Sequence, residues 1–399
     1  MKNKKLLSRH RKDKNANVHD MAQDASPPER ASSAPLRCVE LYCGIGCLHA
    51  ALKRVCPSAV VVAAYDVSPL AADVYESNYG LRPSGRDIRA LSGPELDAHN
   101  ADLWLLSPPC QPYTRNGLQL GSGDGRAGSL GCLAAALLHT RRPPRMILLE
   151  NVVGFERSDT HASLRQSLAA AGYSVHEYTL SPSQLGVPYS RPRRWLLAAH
   201  GDAGRALLPQ PQPRFEWPPV PRAPVSSFLD DSVDWAEHAV PWAAVRTSLR
   251  CVDFTCADSE ADVNCVTKSY GRYAKGTGSV VVRAASDVAR LFDAVSASEA
   301  EHTRSAEAHA ETHASAAMPH APCAPAHIAP PAAGGWPRGS PELRYLTPSE
   351  VARLHGLPEG FVWPPSVTRL QRYALLGNSL SVDCAAELLR HFLLKEPAG

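Results

Sequence analysis

Short apolar runs recur along the first half of the chain, Val60–Tyr65, Leu103–Leu106, Met146–Leu149 and Trp195–Ala199, and the residues from Cys38 to the glycines and a stretch near 174–180 read as further strands. Runs of four to eight apolar residues bounded by polar or turn residues suit buried strands better than helices. Between them lie stretches that read as helices: the residues after Gly46, 69–79, Ser129–Thr140 and 161–171. Strand alternating with helix predicts an α/β fold with a parallel sheet. If 103–106 and 146–149 are neighbouring parallel strands, the residues that follow them share one edge, where open α/β sheets bind ligands.

The pattern changes at about residue 201. Residues 208–224 are dense in proline, and Trp217, Trp235 and Trp242 suggest a small, irregular, partly packed region. Residues 294–335 hold five of the 16 histidines but neither aromatic nor leucine, a composition that reads as a flexible insert, with metal binding as the alternative. Order resumes at Arg344, where Thr347, Pro348 and Glu350 form a capping box, and Gly377-Asn378-Ser379 opens a last amphipathic helix over 380–394. The expected organisation is a disordered basic extension (1–35), a catalytic domain (36–200 with 341–399) and an inserted target-recognition region (201–340) containing a low-complexity insert at about 294–335.

Charge and cysteine content narrow the class. Seven Lys/Arg and one Asp fall in residues 1–14, so the +3 net charge is set by the tail and the body is slightly acidic. Nucleic-acid binding would therefore rest on local patches and this tail. No apolar run reaches membrane-spanning length, and the basic, polar start is unlike a signal peptide. Eleven cysteines, an odd number in a long chain, read as reduced thiols. The expectation is an intracellular protein of cytoplasm or nucleus with no membrane partner.

Candidate chemistry sits at the strand ends. Pro108 and Pro109 stiffen the backbone that presents Cys110, and Glu150 follows the next apolar run, so a thiol and a carboxylate would share one pocket. Gly44 and Gly46 allow backbone amides to approach a ligand at a helix start. Asp66, about twenty residues on, can hold a ribose hydroxyl pair, a pattern that indicates a nucleoside-containing cofactor. Asp87 reads equally as a contact to a cofactor base or as a cap. Cys43, Cys47, His49 and Cys56 lack paired zinc-ligand spacing, so no metal is expected. Six glycines between 117 and 131 form either a loop that closes over substrate or a surface connection. Arg191 and Arg193, one residue apart on an extended segment, face the same way and suit a phosphate or a catalytic carboxylate; a solvated pair is the alternative. In 265–278, Lys268, Arg272 and Lys275 alternate with Tyr270 and Tyr273, which suits phosphates beside unstacked bases. The alternative is a strand with its aromatics inward.

Together these motifs resemble the cytosine-5 methyltransferases over roughly 36–200 and 340–394. PPCQPYTRNGLQ (108–119), ENVVGFERS (150–158), CVTKSYGRYAKGTGSV (265–280) and LRYLTPSEVARLHGLP (343–358) are most similar to the transfer-RNA aspartate methyltransferases of the DNA-methyltransferase-2 type. Cys265-Val266-Thr267 stands where that family has Cys-Phe-Thr, and Cys47 replaces a glycine of the cofactor loop. The resemblance implies a Rossmann-like, S-adenosylmethionine-dependent methyltransferase. It implies a cofactor held by Tyr42, Cys43, Gly44, Ile45, Gly46, Asp66, Val67, Asp87, Ile88 and Asn378. Cys110, Glu150, Arg191 and Arg193 would be catalytic, and Gln111, Thr114, Arg115, Cys265, Thr267, Lys268 and Lys275 would contact substrate. The implied substrate is tRNA, at an anticodon-loop cytosine of tRNA-Asp. DNA as substrate, or a catalytically inactive nucleic-acid-binding protein, are the alternatives, the second opposed by intact Cys110 and Glu150.

Overall fold

The computed structural model describes residues 34–109, 125–202, 220–245, 249–297, 300, 304 and 341–393. Its centre is a six-stranded sheet built from β1 (Arg37–Leu41), β2 (Val60–Tyr65), β3 (Leu103–Leu106), β4 (Met146–Val152), β5 (Tyr173–Leu180) and β7 (Arg193–His200), in the order β2-β1-β3-β4-β7-β5. The two-residue strand β6 (Tyr189–Ser190) lies apart from it. Strands β1 to β4 are mutually parallel, and β3 and β4 are neighbours as their apolar runs imply. The expectation of a wholly parallel sheet fails at β7, which runs antiparallel to both β4 and β5. The link from β5 to β7 contains a 3-10 turn and β6 but no α-helix, whereas a parallel return usually crosses over on a helix.

Alternate strand residues feed opposite cores, as the pleat requires. Leu103, Leu105, Met146 and Leu148 face one side; Trp104, Leu106, Ile147 and Leu149 face the other. The first side is covered by α1 (Cys47–Val55), which packs on the C-terminal helix α8 (Val382–Leu393). The second side is covered by α4 (Gly125–Leu137) and α5 (Asp159–Ala170), with α2 (Pro69–Tyr79) and the short α3 (Gly93–Ala98) preceding them in the chain. Helix α4 begins at Gly125, inside the stretch expected as a glycine-rich loop; the segment before it lies outside the described residues.

The inserted region is irregular, as its proline content predicts. Its strands β8 (Phe254–Thr255) and β10 (Val280–Val281) form a small sheet with β11 (Arg344–Tyr345), and β9 (Val263–Asn264) pairs with β6. A helix over 286–297 enters the supposed low-complexity insert, and its Val295 is buried in the main core, a correction to the expectation that nothing there packs. The segment 305–335 and Trp217 lie outside the described residues. Helices α6 (Pro348–Leu354) and α7 (Arg369–Gly377) lead into α8. The capping box forms as expected, with the Glu350 amide donating to Thr347 Oγ1 at 3.1 Å and the Thr347 amide to Glu350 Oε2 at 2.7 Å. Glu350 also receives both guanidinium Nη atoms of Arg344, at 2.7 and 2.8 Å, and both side chains are buried.

Candidate active site

The register Leu106↔Leu149 sets Ser107 beside Glu150 on adjacent parallel strands. Both continue the face of Leu105 and Leu148, so both side chains point the same way. The Ser107 hydroxyl donates to Glu150 Oε2 at 2.7 Å. From the other side, antiparallel β7 places Arg193 opposite Val152, two residues from Glu150, and Arg193 Nε lies 3.2 Å from Glu150 Oε1. Glu150 is 6 % exposed, so its carboxylate lies in a setting where water competes little. Asn151 donates from Nδ2 to the Pro108 carbonyl at 3.4 Å, tying the two strand ends together. Cys110, Gln111, Thr114 and Arg115 lie outside the described residues.

The same edge opens into a cavity of about 630 Å³, within the range of small-molecule and cofactor sites. One wall is the turn after β1. Tyr42, Gly44 and Gly46 all take left-handed backbone angles (φ 57°, 52° and 86°), which a non-glycine residue such as Tyr42 adopts only where the surroundings hold it. Gly46 is required for a second reason: a Cβ there would sit 2.2 Å from Tyr79 of α2, whose hydroxyl donates to the Gly46 carbonyl at 2.8 Å. Cys43, Gly44 and Ile45 line the cavity, while Gly46 stands behind them. Asp66, at the end of β2, accepts the amides of Gly44 and Ser68, each at 2.8 Å. Burial raises its carboxyl above the ordinary value, and those amides pull it back. Val67 beside it leaves an apolar side chain 66 % exposed at the cavity wall. Asp87 caps the turn Ile88–Ala90 through the Arg89 amide (2.9 Å) and pairs with the Arg89 guanidinium, yet Asp87 and Ile88 still line the cavity. Of the two readings of Asp87, the cap is realised without removing it from the wall.

Beneath this turn lies a buried polar chain. Tyr75 donates to Glu40 Oε2 at 2.7 Å and meets His49 Nδ1 at 2.7 Å, and His49 stacks on Tyr79 with ring centroids 4.1 Å apart. Burial keeps His49 neutral, lowering it to about 4, and raises Glu40 to about 8. Cys43 and Cys47 are buried beside the turn, and among the described residues no cluster of three His, Cys, Asp or Glu is arranged to hold a metal.

Opposite the turn, Arg191 joins the inserted region to the last helices. Only 2 % exposed, it donates from Nη1 to Cys265 Sγ (3.1 Å) and the Val266 carbonyl (3.0 Å), and from Nη2 to the carbonyls of Gly377 (3.1 Å) and Ser379. The Nη hydrogens of Arg191 are so committed; Arg193 is the member of the pair on Glu150. Arg193 also lies 3.9 Å from Cys265 Sγ, so the two arginines do face one way. Burial alone would raise the Cys265 thiol, but the charges of Arg191 and Arg193 outweigh it and hold the thiol below its ordinary value. Asn378 caps α7 and lines the cavity. Gly377 lets the chains approach: a Cβ there would lie 2.2 Å from the Thr267 carbonyl carbon and the Lys268 nitrogen.

The stretch 265–278 divides between its two readings. Tyr270 is fully buried and donates to the Ser279 carbonyl at 2.6 Å, whereas Tyr273 is 63 % exposed beside exposed Lys268, Arg272 and Lys275. Thr267, Lys268 and Lys275 lie outside the cavity wall. Sequence reasoning passed over Ser107, Gly377 as a point of close packing, and Ser129, which meets the Tyr42 hydroxyl at 3.1 Å across the cavity. The position of Ser107 directly before Pro-Pro, one residue past a strand, was the signal available for it.

Parallel strands ending together at a nucleoside-sized cavity, with a clamped carboxylate at its mouth, make this the Rossmann-like fold of a methyltransferase. It matches the S. pombe Dnmt2 methyltransferase structure with a TM-score of 0.68 at 27 % identity, covering 90 % of this chain and 98 % of that one. The chain belongs to the C-5 cytosine methylase family, whose profile, described as C-5 cytosine-specific DNA methylase, matches residues 36–393. Among curated relatives it is 31 % identical to the tRNA (cytosine(38)-C(5))-methyltransferase of Schizosaccharomyces pombe, over 92 % of this chain and 98 % of the relative. It is 29 % identical to the DNA (cytosine-5)-methyltransferase of Dictyostelium discoideum, over 89 % and 93 %.

Proposed function

We propose that this methyltransferase acts on carbon 5 of a cytosine in the anticodon loop of tRNA, with tRNA-Asp as carrier, through a covalent adduct on Cys110. The observation that carries the reading is Glu150, buried between Ser107 and Arg193 beside a cavity that suits a nucleoside. Carbon 5 of cytosine is a poor nucleophile, so a thiolate must add at carbon 6 and push electron density toward carbon 5. Glu150 supports that addition at ring nitrogen 3, by proton donation or a hydrogen bond, as charge builds in the ring. The target base must leave its stack to reach such a site, which is easiest in a loop. Exposed Lys268, Arg272, Tyr273 and Lys275 suit the phosphates and unstacked bases around it.

The residues fit S-adenosylmethionine, the family's methyl donor. Asp66 has lone pairs beyond those taken by two amides, exposed Val67 offers an apolar surface for a base, and the open space over Gly44 admits a ligand against the backbone. Bound there, S-adenosylmethionine would supply an electrophilic methyl group. The chain's part is to hold it by Tyr42 to Ile45, Asp66, Asp87, Ile88 and Asn378, and to keep Glu150 and Arg193 aimed at the base.

The test presents the purified protein, with labelled methyl donor, to equal amounts of total tRNA and unmethylated duplex DNA, followed by sequencing for 5-methylcytosine. Label in one tRNA at an anticodon-loop cytosine is expected, absent with Cys110→Ala and slowed with Glu150→Gln. Label confined to DNA, the substrate class named for the Dictyostelium relative, would reject the tRNA assignment and keep the chemistry. No label in either would reject the enzymatic reading of this chain in favour of an inactive binding protein.

A further inference from the structure

Glu150 ends in a carboxylate on a soft torsion, because the terminal sp³–sp² bond of glutamate has broad minima and sets no orientation of its own. In this site two donors from different strands supply it. Arg193 reaches Oε1 from β7, and Ser107 reaches Oε2 from the end of β3. Ser107 is itself fixed, since its amide donates to the Leu41 carbonyl at 3.3 Å, continuing the β1–β3 ladder, and the two prolines follow it. It also lines the cavity. Among the described residues the hydroxyl is thus the uncharged donor recorded on the carboxylate, on the oxygen that Arg193 does not reach.

We propose that Ser107 is a positioning residue that fixes the plane of the Glu150 carboxylate. This rests on the reading of Glu150 as the group that meets the cytosine ring. Without the hydroxyl, Oε2 loses its donor and the carboxylate turns about Arg193, so fewer encounters find it aligned with ring nitrogen 3. Alignment of the carboxylate should therefore change, while cofactor binding, held by the turn after β1 and by Asp66, does not.

The experiment compares Ser107→Ala and Ser107→Thr, each alone and with Glu150→Gln, in single-turnover methylation of tRNA, with S-adenosylmethionine affinity and Tm measured for every variant. Ser107→Ala should slow transfer about 10- to 100-fold, the scale of a misaligned catalytic group. Cofactor affinity and Tm should stay near wild type, and Ser107→Thr, which restores a hydroxyl, should recover most of the rate. Adding Ser107→Ala to Glu150→Gln should slow transfer by much less than it does alone, because the two groups act as a unit. A Ser107→Ala enzyme with wild-type rate overturns the proposal, as does a rate loss matched by lost cofactor affinity and Tm that threonine does not repair. Wild-type turnover in Glu150→Gln removes the reading of Glu150 on which the proposal rests, a result distinguishable from slow Glu150→Gln beside fully active Ser107→Ala.

Discussion

Glu40 is a buried carboxyl under the cofactor turn, and its replacement by glutamine should reverse part of the protein's pH dependence. Burial raises it from an ordinary 4.5 to about 8, partly opposed by the hydrogen bond from Tyr75. Below pH 4.5 the group is protonated in both folded and unfolded chains and adds no pH dependence. Between pH 4.5 and 8 the unfolded chain has released its proton while the folded chain keeps it, so stability falls as pH rises; above 8 the loss is complete. At 1.36 kcal/mol per pH unit the interval is worth about 5 kcal/mol as an upper bound, and relaxation around the site would bring it to roughly 3 kcal/mol. Glu40→Gln keeps the shape and can accept the Tyr75 hydrogen bond but cannot ionise. Urea unfolding of both proteins at intervals from pH 4.5 to 8.5 gives the difference in stability at each pH, which cancels every other titrating group. That difference should move in favour of the variant by about 3–5 kcal/mol as pH rises. A constant difference would refute the assignment of a neutral Glu40, and a difference of the opposite sign would mean that the folded state stabilises the anion.

Gly377→Ala would press a methyl group into the main chain of Thr267 and Lys268, which cannot yield as a side chain can; destabilisation of about 1–3 kcal/mol and weakened tRNA binding are expected, read by Tm and filter binding. Glu350→Ala strands the buried Arg344 guanidinium and should cost about 3–5 kcal/mol, whereas Glu350→Leu with Arg344→Met should cost far less; equal losses in urea unfolding would refute the pairing argument. Replacing 305–335 with a short glycine-serine linker should leave Tm and methylation rate unchanged, since loop length contributes only about 0.6 kcal/mol per doubling; the deletion must spare Val295, which is part of the core. Lys268→Ala with Lys275→Ala should weaken tRNA binding and flatten its salt dependence, and an unchanged salt slope in a titration would remove these lysines from the interface.

The strands and helices that carry the site were legible because their signals are local. Four to eight apolar residues before Pro-Pro-Cys or Glu-Asn-Val mark buried strand ends, glycines at 44 and 46 mark a left-handed turn, and Thr347 with Glu350 marks a helix start. Each depends on residues a few positions apart, whose preferences survive in any surrounding fold. The sequence by itself therefore determined the α/β class, the strand ends at Ser107 and Glu150 and the glycine turn after β1. Tertiary structure decided the rest. It set the direction of β7, and with it the approach of Arg193 to Glu150, through a link that carries no helical crossover. It set the clamp of Ser107 on Glu150, 43 residues apart, through strand register. It made Arg191 the tie between Cys265 and the Gly377 carbonyl, the latter 186 residues away in sequence. Such contacts depend on which strands lie side by side and how closely their chains pack, and no window of neighbouring residues records that.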